Sequence, residues 1–138
     1  MVSRVLVPMD DSEVAEAALR FALSTFPAAA VTVLHVVGGA TSYMGEATSL
    51  AVADDVDAAA AERAEPVFAT ARAIAGDDRE LTTTVRLGSP TKAIITNAED
   101  FDLIVIGGHS NTIASRLLLG NVAETVARDA PIPVTIVR

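Results

Sequence analysis

The sequence predicts an α/β domain, a single open and mainly parallel five-stranded sheet with helices on both faces. Short, solid apolar blocks alternate along the chain with longer segments whose apolar residues recur at helical spacing. Strands alternating with helices in this way close as a parallel sheet through right-handed crossovers. Size agrees: 138 residues, 51% of them hydrophobic, suffice for one core, and no linker-like stretch divides residues 1–138.

Each element has its own warrant. "RVLVPM" (residues 4–9) is the first apolar block and reads as a strand. Ser12 then stands where a helix N-cap belongs, with Glu13 and Glu16 in the first turn to match the helix dipole. Val14, Ala17, Ala18, Phe21 and Ala22 carry the helical period, and Pro27 stops it. "AAVTVLHVV" (29–37) is the second strand. Residues 38–52, "GGATSYMGEATSLAV", show no clear period and predict a loop or lid, with Tyr43 and Met44 capping whatever lies beneath. From about Asp54 to Ala75 an alanine-rich segment predicts a helix that Pro66 kinks or divides and Gly76 ends. "ELTTTVRLG" (80–88) alternates polar and apolar residues, as a strand near a sheet edge does. Ser89 and Pro90 then supply an N-cap and a first-turn proline for the third helix. "DLIVIGG" (102–108) is apolar enough to be buried on both faces. The last helix is expected from about Asn121 to Arg128, Asn121 being its N-cap and Glu124 completing a capping-box variant, with "IPVTIVR" (132–138) as the fifth strand.

Composition narrows the function classes. Without cysteine there is no disulfide framework, thiol nucleophile or thiolate metal site, and two isolated histidines argue against zinc. A net charge of −8, with no Lys/Arg cluster, argues against nucleic acid as a partner. The first apolar run meets Asp10 and Asp11 too soon for a signal peptide, and no stretch approaches the roughly 20 apolar residues that span a bilayer, so the expectation is a cytoplasmic protein with no membrane insertion. Only Lys92 is a lysine. The acids of "DDVD", "GDDRE" and "AEDFD" resemble the acidic skin of salt-adapted proteins, although ordinary solvated helix faces would look the same.

In open parallel sheets ligands bind beyond the carboxyl ends of the strands, where the strand order reverses. Two such ends stand out: "PMDDS" after strand 1 and "GGHS" after strand 4. On the local sequence alone, turn and capping chemistry accounts for Asp10 and Asp11 better than ligand binding does. Gly107 and Gly120, followed by a helix start, offer amides and dipole to an anion, or serve only as loop geometry. Neither GxxxxGK[ST] nor GxGxxG occurs.

In order and over nearly the whole chain, "RVLVPMDDSEVAEAALRFAL", "VTVLHVV" and "DLIVIGGHSNTIASRLLLGNVAETVARDAPIPVTIVR" resemble the universal stress protein family. The resemblance is strong at both ends and weak between about 38 and 80. It implies a Rossmann-like sheet of strand order 3-2-1-4-5, and a small stress-response or regulatory protein holding ATP or AMP, with Mg2+ as an accompanying ion. The family's nucleotide-binding branch carries G-x2-G-x9-G-[ST] after strand 4, which here reads Gly107, Ser110, Gly120, Asn121, so two of four positions are altered. By that match Pro8, Met9 and Asp10 flank the nucleoside and Val36 touches the adenine, while Ile106, Gly107, Ser110, Gly120, Asn121 and Val122 line ribose and phosphates. The resemblance also implies a homodimer through the C-terminal strand, residues 133–137. His35 reads as a satisfied core histidine. The rival readings are a slow ATPase or nucleotide hydrolase using Asp10 and His109, and a nucleotide-free dimerisation module.

Overall fold

The computed structural model describes residues 1–38, 53–108 and 113–138. Along the chain run β1 (Arg4–Pro8), α1 (Glu13–Thr25), β2 (Ala30–Val37), α2 (Ala53–Ala75), β3 (Leu81–Leu87), α3 (Pro90–Asn97), β4 (Leu103–Gly107), α4 (Ile113–Asp129) and β5 (Val134–Val137). A single 3-10 turn, Ala98–Asp100, leads from α3 toward β4. The sheet has order β3-β2-β1-β4-β5 with every neighbour parallel. The fold is therefore the open α/β sheet that the sequence predicts, strand order included.

Strand periodicity sorts the core into two layers. Val5, Val7, Val31, Val33, Leu103 and Val105 face α1 and α2, whose Ala18, Leu19, Ala22, Ala64, Phe68 and Ala71 close over them. Leu6, Leu34, Ile104 and Ile106 face the other way, onto Ile94 of α3 and Ala123 and Val126 of α4. All five residues of β4 are buried, as its continuous apolar run predicts. β3 lies at a sheet edge with no fully buried residue, as its alternating pattern predicts.

Local capping signals translate directly. The Ser12 hydroxyl accepts from Ala15 N–H at 3.2 Å and begins α1, and Ser89 accepts from Lys92 N–H at 3.3 Å and begins α3. Two expectations need correction. Pro66 does not divide α2 in two or end it, because the helix runs unbroken from Ala53 to Ala75. Pro66 lies on the solvent face, while buried Ala64, Val67 and Phe68 hold the helix to the sheet on either side. The last helix begins at Ile113, not near Asn121. Asn121 is thus interior to α4 and does not cap it. "IASRLLL" is rich in helix formers, and the roughly 1 kcal/mol that a glycine costs in a helix does not stop the winding at Gly120.

Candidate functional site

The strand order reverses between β1 and β4, and there the sheet opens. Pairing between β1 and β4 is recorded at Val5↔Leu103 and Leu6↔Ile104. β1 stays on β2 as far as Pro8↔Leu34, and β4 stays on β5 as far as Gly107↔Val137. Beyond Leu6 and Ile104, then, the two central strands each follow their outer neighbour. A crevice is left between Pro8–Asp10 on one side and Ile106–Gly107 on the other, at the topological switch point of the sheet.

The β1 side is held by backbone and side-chain bonds together. Met9 N–H donates to the Leu34 carbonyl at 2.8 Å, continuing the β1–β2 ladder by one step. The Met9 carbonyl accepts from His35 Nδ1 at 2.8 Å. A carbonyl only accepts, so this nitrogen carries the proton, and His35 is the satisfied histidine its sequence position predicts. Asp10 Oδ1 accepts from the N–H of Ser12 at 2.9 Å and from the Ser12 hydroxyl, which in turn caps α1. Turn and capping chemistry is therefore present at Asp10 and uses one carboxylate oxygen. The half-buried Asp10 keeps Oδ2 without a partner among the described residues.

On the β4 side the glycines are fixed by packing. A Cβ at Gly107 would stand 2.8 Å from the Val14 carbonyl oxygen and 2.9 Å from its carbon, so only glycine lets the first turn of α1 rest on the end of β4. A Cβ at Gly108 would lie 2.6 Å from Ile136 Cγ2, on the opposite face, while Gly108 N–H donates to the Val137 carbonyl at 2.8 Å. Both glycines have a structural reason that involves no ligand. The sequence signal for it is the strand–glycine pair itself, which reads equally well as a cradle.

The expected site residues fall into distinct groups. Val36, Ile106 and Val122 belong to one apolar cluster with Leu6 and Leu34, on the face of α3 and α4. Ile106 is 1% exposed and forms a floor under this end of the sheet, whereas Val36 and Val122 are half-buried. Pro8 is buried at the end of β1, and Met9 turns to the opposite layer, against α1 and α2. Gly120 and Asn121 lie within α4, with Asn121 exposed. Ser110 and His109 lie outside the described residues, as do Tyr43 and Met44 of the expected lid. Among the described residues no group of three or more His, Asp or Glu side chains is gathered to hold a metal ion. Among the described residues Asp10 Oδ2 is the carboxylate oxygen without a partner at this crevice, and magnesium ordinarily keeps several waters and phosphate oxygens as well.

Comparison with known proteins gives a consistent answer. The model of the universal stress protein family matches residues 1–138. A universal stress protein from Thermus aquaticus, encoded in the QAH/OAS sulfhydrylase 3' region, is 32% identical, with all of both chains covered. The solved structure of hypothetical protein MJ0577 superposes with a TM-score of 0.78 at 27% identity, covering 99% of this chain and 96% of that one. A universal stress protein in complex with cAMP gives a TM-score of 0.61 at 26% identity, covering 99% and 97%. The universal stress protein from Archaeoglobus fulgidus in complex with dAMP gives 0.59 at 26% identity, covering 100% and 98%.

Proposed function

The chain belongs to the universal stress protein family, and from that membership we propose a small stress-response or regulatory protein that binds an adenine nucleotide, ATP or AMP, in the crevice between β1 and β4, without efficient catalysis. The observation that carries this reading is the parting of β1 from β4 beyond Leu6 and Ile104, which leaves a crevice at the switch point. Its chemistry suits a nucleoside. Val36 and Val122 offer half-buried apolar surface over Ile106 for a base, and Asp10 Oδ2 offers an unspent acceptor for a ribose hydroxyl. Relatives of the same fold were solved with cAMP and with dAMP, two ligands that share an adenine base and carry one phosphate.

The same reading includes a homodimer through β5. Val134–Val137 forms a sheet edge with Ile136 41% exposed, and an exposed apolar edge strand is a template for pairing with a second copy about a two-fold axis. Native mass spectrometry of the purified chain, before and after denaturation, tests both parts. The expected result is a dimer that releases an adenine nucleotide, or that takes up one per protomer on addition. A monomer at micromolar concentration in high salt removes the dimer. A folded protein that takes up no adenine nucleotide at millimolar concentration removes the binding function, and hydrolysis well above the blank that is lost in His109→Ala replaces it with an enzyme.

A further inference from the structure

We propose that His35 is a positioning residue for the nucleotide: its imidazole occupies the Met9 carbonyl in place of the Val36 amide, and so ends the β1–β2 ladder and keeps the crevice open. This rests on the nucleotide reading and adds to it a residue that acts on the site through the backbone.

Strand alternation fixes where each backbone group of β2 points. The Leu34 carbonyl accepts from Met9 N–H at 2.8 Å on the β1 side, and the Val37 carbonyl accepts from Gly88 N–H at 3.3 Å on the β3 side. The N–H and C=O of one residue share a side of the strand, and the side alternates along it. Val36, two residues after Leu34, therefore directs its N–H and C=O toward β1. In a parallel ladder the residue that donates to Leu34 accepts in turn from Val36, so the next bond would run from Val36 N–H to the Met9 carbonyl. That bond is not made. The Met9 carbonyl accepts from His35 Nδ1 at 2.8 Å instead, and among the described residues the Val36 N–H has no backbone acceptor on that side.

The exchange of donors decides the shape of the crevice. Met9 is 4% exposed, and a buried carbonyl without a donor is costly, so some donor has to serve it. Val36 N–H would do so by drawing Met9, and the Asp10 that follows it, onto the end of β2, one step further along the ladder. That step would bring the Pro8–Asp10 wall against Val36, whose half-buried side chain is surface for the base, and would move Asp10 Oδ2 with it. His35 lies on β2 as well but reaches the same carbonyl through its side chain. The strands therefore part where the ladder would otherwise continue.

Two substitutions separate this role from a merely structural one. His35→Asn keeps an N–H donor, Nδ2, at the same point along the side chain as Nδ1, and His35→Leu keeps bulk without the donor. Amide exchange followed by NMR, and calorimetric titration with AMP, are carried out on the full chain. In the leucine variant the Val36 amide should exchange more slowly than in the unmodified chain, because it now bonds to Met9, whereas a merely structural histidine would leave it unchanged or faster. AMP should bind the leucine variant about fivefold more weakly, the equivalent of one net hydrogen bond of about 1 kcal/mol that has to open first, and should bind the asparagine variant as it binds the unmodified chain. If the Val36 amide is not slowed, or if both variants bind AMP as the unmodified chain does, the positioning role is overturned and the nucleotide reading stands. Should the leucine variant fail to fold, the free unmodified chain decides: its Val36 amide should exchange faster than those of its neighbours in β2, and equal protection overturns the role. If the unmodified chain binds no AMP, both fail.

Discussion

Asp102 joins the starts of the two central strands. Its Oδ2 accepts from the N–H and hydroxyl of Ser3, both at 2.9 Å, and from Arg4 N–H at 3.0 Å, while its own N–H donates to the Arg4 carbonyl at 2.9 Å. These bonds favour the ionised form, the Ser3 amide foremost, and hold the carboxyl below its usual value. A carboxylate whose folded value is depressed contributes stability in full above its unfolded value of about 3.9, and that stability is lost as pH falls through the lower folded value. Asp102→Asn should therefore lower the urea midpoint at pH 7, and the gap to the unmodified protein should narrow as pH drops below about 4. Equal midpoints at pH 7 would show that the clamp is idle. Nothing local in "EDFDLIVIGG" signals this role, because both partners lie 98 residues or more away along the chain. At Gly107 and Asp10 the difficulty differs. Their residue types are legible, but whether a glycine serves packing or a ligand depends on Val14, which lies in another element.

The end of α1 shows the same division between local and distant signals. Its last turn carries no basic residue, and its final carbonyls would be unsatisfied by the helix itself. Arg79, more than 50 residues on, donates to the carbonyls of Leu23 at 2.9 Å and Phe26 at 3.3 Å, and to Ala29 at 2.9 Å in the turn toward β2. One planar guanidinium thus closes the helix and the turn after it. Arg79→Ala should cost about 1.5–3 kcal/mol in urea unfolding, the range for hydrogen bonds to a charged group. Arg79→Lys should recover only part, because a point ammonium cannot fork to three carbonyls. Full recovery by lysine would reduce the interaction to charge alone. Helix starts set by one side chain and the next three amides, as at Ser12 and Ser89, are legible within a residue. The start of α4 is misread by eight residues because Gly120 and Asn121 carry a real starting signal that the turns before them override. Pro66 fails as a breaker for a related reason, since flanking burial outweighs one missing bond.

At the scale of the whole molecule alternation and apolar blocks predict the parallel α/β sheet, its strand order comes from the family resemblance, and the surface is where composition speaks most directly. Eighteen acidic residues face ten basic ones, a net charge of −8. The ion pairs Arg20–Glu16 at 3.7 Å, Arg72–Glu65 at 2.9 Å and Arg128–Asp129 at 3.5 Å join side chains that are largely exposed, and pairs of this kind contribute about 0–1 kcal/mol each. They do little to offset repulsion among the unpaired acids, which the compact fold brings closer together than the unfolded chain does. Salt acts on that repulsion directly, because the Debye length shortens from about 10 Å at 0.1 M to about 3 Å at 1 M. The melting temperature should therefore rise with potassium chloride between 0.1 and 1 M and level off above that, once charges a few ångströms apart are already screened. A general strengthening of apolar burial would instead continue to rise with concentration and would be larger in sulfate than in chloride. Replacing Asp77 and Asp78, both exposed beyond α2, by asparagine should raise the melting temperature at 0.1 M and flatten the salt response in proportion to the charge removed. A profile flat from 0.1 to 2 M in the unmodified protein would show that the acidic surface has no part in its stability.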